Sequence, residues 1–376
     1  MRIRELTEDD VAEADRLRRV AFGGLGEPSL RPGRRGLLAE LDGRVAGVLA
    51  IKDFHQFHGG EPVPMGGVAG VAVDPWARGR GVAGALLDAA LRDMRDRGQV
   101  VSALFATAPA VYRSRGWDAG GVHEELEFPL DRLPAGERIA SRPAVAGDLP
   151  ALHACYVDLA STVNGLVDRG APGVDVADVL GLDVATVVPG HDGELRGYLT
   201  ARRDRRGLRV LDLVGRDLAT QLGLLRELRS WAGVLDRAVV RVTDPAVTGL
   251  LTNQAIEYTV TASTWLLRVV DLPAAVAARG WPAARWLKPA AVDLDVVDEH
   301  APWHAGRQRL VVDEGGVRVE PGGSGAVRLR ARALGPWFSG MHDSHALRRA
   351  GLLDGDGALL DRLVGAPGIP RLADSF

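Results

Sequence analysis

The chain has one cysteine, Cys155, in 376 residues. No intrachain disulfide can form, so burial and hydrogen bonding must hold the fold, as expected in a reducing cytoplasm. Excess charge of either sign is missing too. There are 46 Lys and Arg against 49 Asp and Glu, a formal net charge of −3, which argues against nucleic acid or an anionic membrane as principal partner. No apolar run is long enough to span a bilayer. The chain opens on a strand-like Arg2-Ile3-Arg4-Glu5-Leu6 rather than a basic-then-apolar leader, and the expected location is the cytoplasm. Metal-ligand spacing is also lacking. His55/His58, His300/His304 and His342/His345 are close pairs without a third ligand, so solvated histidines and no metal are expected. What remains is ordinary soluble composition, 46% hydrophobic and 25% charged, with length for two or three domains.

The most informative stretch present is Val71-Ala72-Val73-Asp74-Pro75-Trp76-Ala77-Arg78-Gly79-Arg80-Gly81-Val82-Ala83-Gly84-Ala85-Leu86-Leu87. It reads as an apolar strand, a loop rich in glycine and arginine, and an immediate helix. Leu86, Leu87, Ala90, Leu91 and Met94 recur at helical spacing until Gly98 stops the run. Such a junction gathers unpaired backbone N–H groups and the positive end of a helix dipole, a combination that binds phosphate. Gly79 and Gly81 allow close backbone approach, and nearby arginines add charge-assisted contacts. Glycines alone would equally suit a plain strand-to-helix turn.

The flanks suggest a repeated plan. A helix starts at Thr7 with Asp10 as its capping-box partner. Leu37–Leu41 and Val45–Ile51 form a hairpin about Asp42-Gly43. Residues 52–65 read as loop, Gly66–Val73 as a central strand, and Val101–Thr107 as a buried strand. From Arg138-Ile139 the order recurs: a short strand, a helix through Leu149, Leu152, Tyr156 and Leu159, a hairpin over 193–214, a helix from Leu218 to Trp231, and a strand at 238–242. Here, however, the turn is Gly215-Arg216-Asp217, with an acid where a phosphate would lie. After Leu266 come a short helix at 272–279, strands at 291–297, 308–312, 316–320 and 327–331, and closing helices at 342–350 and 358–364. Four tryptophans, Trp281, Trp286, Trp303 and Trp337, are scattered there.

Arg78-x-x-Gly81-x-Ala83 resembles the Arg/Gln-x-x-Gly-x-Gly/Ala signature of the GNAT acyltransferase superfamily, and Tyr112-Arg113-Ser114-Arg115-Gly116-Trp117 resembles its YxxxGW/F segment. With a degenerate repeat and a sterol-carrier-like tail, the whole plan resembles the Eis (enhanced intracellular survival) family of N-acetyltransferases. The fold expected is α/β (α+β): a GNAT domain at 1–136, a degenerate GNAT-like domain at 137–268, and a sterol-carrier-like domain at 269–376 whose end enters the active site. The resemblance implies acetyl-CoA as co-substrate and no metal. Val71, Ala72 and Val73 would pair with its pantetheine arm. Gly79, Arg80, Gly81, Val82, Ala83 and Gly84 would cradle its pyrophosphate, Thr107 and Ala108 would stand where the next strand splays away, and Arg78 would frame the loop. An oxyanion donor would be a backbone N–H near Val73.

In that family the tyrosine matching Tyr112 is the general acid and the chain's terminal carboxylate the base, here the α-carboxylate of Phe376. An α-carboxyl is ordinarily a weak base, with a pKa of about 3.3–3.7, so burial or a neighbouring acid must raise it. The implied acceptors are primary amines, aminoglycosides or lysine side chains, with Asp374 lining an acidic pocket, and the implied assembly is a hexamer. A different class stays open: a lipid-binding carrier with a vestigial acyltransferase fold.

Overall fold

The computed structural model describes residues 1–24, 30–172, 174–191, 193–204, 207–366 and 368–374. The fold is mixed α/β, with sheets of twelve and five strands among the described residues. The first half supplies β1 (Arg2–Glu5), α1 (Val11–Phe22), β2 (Arg34–Leu41), β3 (Arg44–His58), β4 (Glu61–Val73), α2 (Val82–Asp96), β5 (Val101–Phe105), α3 (Pro109–Arg113) and β6 (Asp118–Pro129). The second supplies β7 (Arg142–Pro143), α4 (Leu149–Ala160), β8 (Val184–Pro189), β9 (Leu195–Arg203), β10 (Leu208–Gly215), α5 (Leu218–Arg229), β11 (Arg237–Arg241), α6 (Ala246–Asn253) and β12 (Thr259–Val269).

Three expectations are corrected here, the third being that His58 and His304 are solvated, since both are buried. Residues 52–65 are not loop. They form the far end of a long β3–β4 hairpin that turns at Gly59-Gly60, both at positive φ. Polar side chains at Gln56 and His58 disguised it, yet both are buried. The Gln56 side-chain amide donates to the Gly165 carbonyl at 2.7 Å, and His58 Nε2 lies 3.1 Å from Gln56 Oε1. Burial, with Arg279 nearby, pushes the His58 imidazole well below its ordinary pKa, so it is neutral. The second correction concerns Arg138-Ile139, which lie outside any strand. The edge strand there is β7, four residues on.

Sheet order in the large sheet is β1-β2-β3-β4-β5-β12-β6-β11-β10-β9-β8-β7. The last strand of each half is therefore exchanged. β12 pairs antiparallel with β5 through Trp265↔Phe105, while β6 pairs antiparallel with β11 through Arg241↔Glu125. β12 and β6 also pair with each other, so the halves meet at the centre of one sheet. In each half the strand–helix–strand unit makes a parallel pairing, β4 with β5 and β10 with β11.

The remainder comprises α7 (Leu272–Ala278), β13 (Ala290–Val297), β14 (Gly306–Asp313), β15 (Gly316–Pro321), β16 (Val327–Arg330), α8 (Ala331–Ser339), α9 (Ser344–Arg349), β17 (Leu353–Asp354) and α10 (Ala358–Val364). Its sheet has the order β15-β14-β13-β16-β17. One apolar cluster runs from Val63, Met65 and Trp265 of the large sheet to Leu294, Leu310, Trp337 and Phe338 here. A buried ion knot ties the same junction. Arg268 of β12 pairs with Asp298, whose Oδ2 lies 2.9 Å from His304 Nε2, while the Leu272 amide donates to His304 Nδ1 at 3.0 Å. His304 is thus a satisfied core residue rather than a solvated one. Burial opposes ionisation of Asp298, but hydrogen bonds from His304 and Arg268 outweigh it and hold that carboxyl at about 2.

Candidate active site

β4 and β5 pair over three registered positions, Met65↔Val101 to Gly67↔Ala103, and then separate, although β4 runs on to Val73. Within that free length the β3–β4 register slips between Val48↔Ala72 and Ala50↔Ala69, with Gly70 at φ 55°. Two β4 residues, Gly70 and Val71, oppose Leu49, a bulge that re-aims the strand at the opening.

β4 then leads through a short turn at Pro75–Ala77 to the N-terminus of α2. The N-cap is Gly81 at φ 79°, no side chain caps the helix, and its first turn carries no acid. Among the described residues, the amides of Gly79, Gly81, Val82, Ala83 and Gly84 meet no protein acceptor, the first helical bond being Ala85 N–H to Gly81 O at 3.0 Å. A cavity of about 330 Å³ opens over these donors, lined by Val73, Ala77, Arg78, Gly79, Gly81, Val82, Ala83, Gly84, Val111, Ser114 and Arg115. Free amides, the positive end of a 15-residue helix and two lining arginines suit a diphosphate.

The expected residues divide. Val73, Gly79, Gly81, Val82, Ala83 and Gly84 converge on the cavity. Arg80 points elsewhere, pairing with Asp42 at 2.9 Å and lying over the Trp76 ring. Val71 and Ala72 lie at the bulge, and Thr107 and Ala108 are exposed just beyond β5. The cation that spacing could not reveal is Arg115. Its guanidinium packs directly over Gly84, where a Cβ would displace it. Arg115 is held by Asp88 at 3.4 Å, and Asp88 in turn by His300 at 2.9 Å.

Tyr112 sits on α3 and is buried in the apolar cluster that also holds Ala77 and, from α2, Val82, Leu86 and Leu87. Its neighbours Val111 and Ser114 line the cavity. Burial raises the phenol above its ordinary pKa, so it holds its proton at neutral pH.

Phe376 lies outside the described residues; the tail leading to it is described as far as Asp374. That tail is docked. The Val122 amide donates to Pro370 O at 2.9 Å and the Leu372 amide to Val122 O at 3.1 Å, so the tail lies alongside β6. Arg371 pairs with Glu124, Leu372 is buried, and Arg241 donates to Ala373 O at 2.9 Å. Asp374 lines a second cavity of about 180 Å³, but it is no free acid, because Arg169 and Arg241 lie 3.2 and 3.5 Å away. Both arginines also bind buried Asp212. Partners such as Arg371 and Glu124 are 247 residues apart, beyond any local signal.

In the second half the matching helix, α5, is capped by Asp217, whose carboxylate accepts the Thr220 amide at 2.8 Å. Asp217 is also held by Arg196 at 3.1 Å. The Asp217 carboxylate thus occupies the N-terminus of that helix. Among the described residues, no three His, Cys, Asp or Glu side chains converge as a metal site, and no helix is long and apolar enough to cross a membrane.

A bulged strand parting from its parallel neighbour at an acid-free helix N-terminus places this chain among the nucleotide-thioester acyltransferases. The comparisons agree: residues 2–120 match the acetyltransferase (GNAT) domain and residues 272–372 the sterol carrier protein domain. An uncharacterized N-acetyltransferase of Streptomyces coelicolor is 30% identical over 403 residues, covering 93% of this chain and 94% of that protein. The chain belongs to that N-acetyltransferase family and is an acetyltransferase, and its GNAT domain implies use of acetyl-CoA. Two solved structures are similar along its whole length. The GCN5-related N-acetyltransferase from Kribbella flavida has 28% identity and a TM-score of 0.86, covering 100% of this chain and 98% of that one. Eis1 from Mycobacterium abscessus has 25% identity and a TM-score of 0.77, covering 100% of both chains.

Proposed function

We propose that this chain transfers the acetyl group of acetyl-CoA to primary amines by direct attack in a ternary complex, as an Eis-like enzyme. The observation that carries this reading is the set of unpartnered amides at Gly79 and from Gly81 to Gly84 over the cavity at α2, where a pyrophosphate would sit. Val71, Ala72 and Val73 would flank the pantetheine arm, and Thr107 and Ala108 its outer side. Tyr112, kept protonated by burial, gives its proton to the departing sulfur. The terminal carboxylate of Phe376 takes a proton from the amine; the tail leading to it is held along β6 at residues 370–372, with Asp374 at the second cavity. Residues 1–136 form the catalytic unit, 137–268 a degenerate copy and 269–376 a carrier-like unit that delivers the tail. Polycationic amines or lysine side chains are the acceptors we favour, in a cytoplasmic homohexamer.

The test is acetylation of a panel of amines by the full chain, repeated after deleting Phe376 and after appending a short C-terminal tag. Turnover should fall in both altered chains. Unchanged turnover in either removes the terminal base, and stabilisation by a fatty acid with none by acetyl-CoA removes the transferase reading altogether.

A further inference from the structure

The fold brings an acid–base pair on β6, His123 and Glu125, against the last residue of β5. His123 of β6 meets the ring of Phe105, the last residue of β5, edge-on with centroids 5.7 Å apart. Phe105 closes β5 two residues before Thr107, so the imidazole is packed against the end of the strand that parts from β4. His123 Nδ1 lies 2.8 Å from the Leu372 carbonyl of the docked tail. A carbonyl only accepts, so Nδ1 carries the hydrogen, and in the neutral ring Nε2 keeps its lone pair. Nε2 in turn lies 3.6 Å from Glu125 Oε1, and Glu125 is anchored by Arg209. The other charges around the strand are already matched, Glu124 with Arg371 and Asp374 with Arg169 and Arg241.

Proton counting shows why such a group is needed. A primary ammonium carries three hydrogens and its amide product one. As the N–C bond forms and the C–S bond breaks, nitrogen loses two protons while sulfur gains one from Tyr112. One of the two restores Tyr112 and the other leaves to solvent. A single terminal carboxylate holds only one of them at a time.

We propose that His123 is the second proton acceptor. Its Nε2 takes one proton from the acceptor nitrogen, the Leu372 carbonyl fixes the tautomer, and Glu125 balances the imidazolium charge. The proposal rests on the acyl-transfer reading above and names a different group from the one that reading uses as base.

The test compares two acceptors in the full chain: an alkylamine, which is an ammonium at neutral pH, and an arylamine, which is already neutral and has one proton fewer to lose. His123→Gln keeps a donor for the Leu372 carbonyl but cannot accept a proton. It should lower kcat on the alkylamine by about 10²-fold or more, leave KM for acetyl-CoA unchanged, and leave the arylamine rate near that of the unaltered chain. In His123→Ala, free imidazoles should restore alkylamine turnover, the more basic ones most. Equal losses on both amines, or no rescue by imidazole, would overturn the assignment to His123 alone. An unaltered chain inert toward every amine would instead overturn the transferase reading, and with it this one.

Discussion

Between β4 and α2 the chain passes through Gly79 and Gly81 and leaves the helix N-terminus without an acid. Between β10 and α5, at the matching place in the other half, it passes through Gly215-Arg216-Asp217, and the carboxylate of Asp217 accepts the Thr220 amide at 2.8 Å. Both junctions join a parallel strand pair through a helix, and both helices present the same partial positive charge. In one half that charge faces a cavity. In the other it is spent on the helix's own cap, worth about 1 kcal/mol to the fold. The same backbone plan thus supplies either a ligand site or a more stable scaffold, and one carboxylate makes the difference.

Three experiments probe that contrast. The largest effect is expected from Tyr112→Phe, which removes the proton donor beside the open junction without touching its amides. Turnover should fall by about 10²–10⁴-fold with acetyl-CoA affinity unchanged, as steady-state rates and a coenzyme titration would read. Gly81→Asp should come next, because it installs in the first half the acid found in the second. Acetyl-CoA binding should weaken about tenfold, roughly 1.4 kcal/mol, measured by calorimetry alongside a melting curve to register any backbone strain at φ 79°. Affinity that survives this change would mean the diphosphate sits elsewhere.

Asp217→Ala is expected to have the smallest effect. It should cost about 1 kcal/mol of stability and confer no coenzyme binding on the second half. Hydrogen bonds from the Thr220 amide, with Arg196 and the Thr220 hydroxyl, hold the Asp217 carboxyl below its ordinary range. A depressed carboxyl stabilises the fold above the unfolded-state pKa of about 3.9, and that contribution is lost as pH falls through the folded value. The stability gap between the unaltered chain and Asp217→Ala should therefore be full at pH 6 and close on acidification. A gap that widens on acidification would show that the cap is not the carboxylate.

Local chemistry explains which parts of this molecule were legible in the chain itself. The amphipathic run Leu86, Leu87, Ala90, Leu91, Met94 and the turn glycines announce α2 and its junction because helix periodicity and positive φ are properties of neighbouring residues. The Asp42-Gly43 hairpin and the altered turn at 215–217 were readable for the same reason. Arg115 at the cavity wall, the Arg169–Asp212–Arg241 cluster that receives the tail, and His123 beside Phe105 were not. Each depends on a partner brought from another strand or from the chain's end. Buried polar pairs misled in the opposite direction: Gln56 and His58 look like loop residues until the carbonyl of Gly165 and each other are supplied. Pro336, which ordinarily argues against helix, lies inside α8, a buried helix packed on β12 and β6.

The exchanged strands carry a consequence for synthesis. The edge of β5 away from β4 lacks its neighbour until residues 259–269 have been made, because β6, the next strand in the chain, pairs instead with β12 and β11. At about 5–20 residues per second, a ribosome needs roughly ten to thirty seconds to cover that distance. Throughout that interval the nascent first half presents a raw sheet edge, the kind that invites aggregation. A chaperone that shields it until β12 emerges would raise the yield of folded protein more than any help given to the C-terminal sheet.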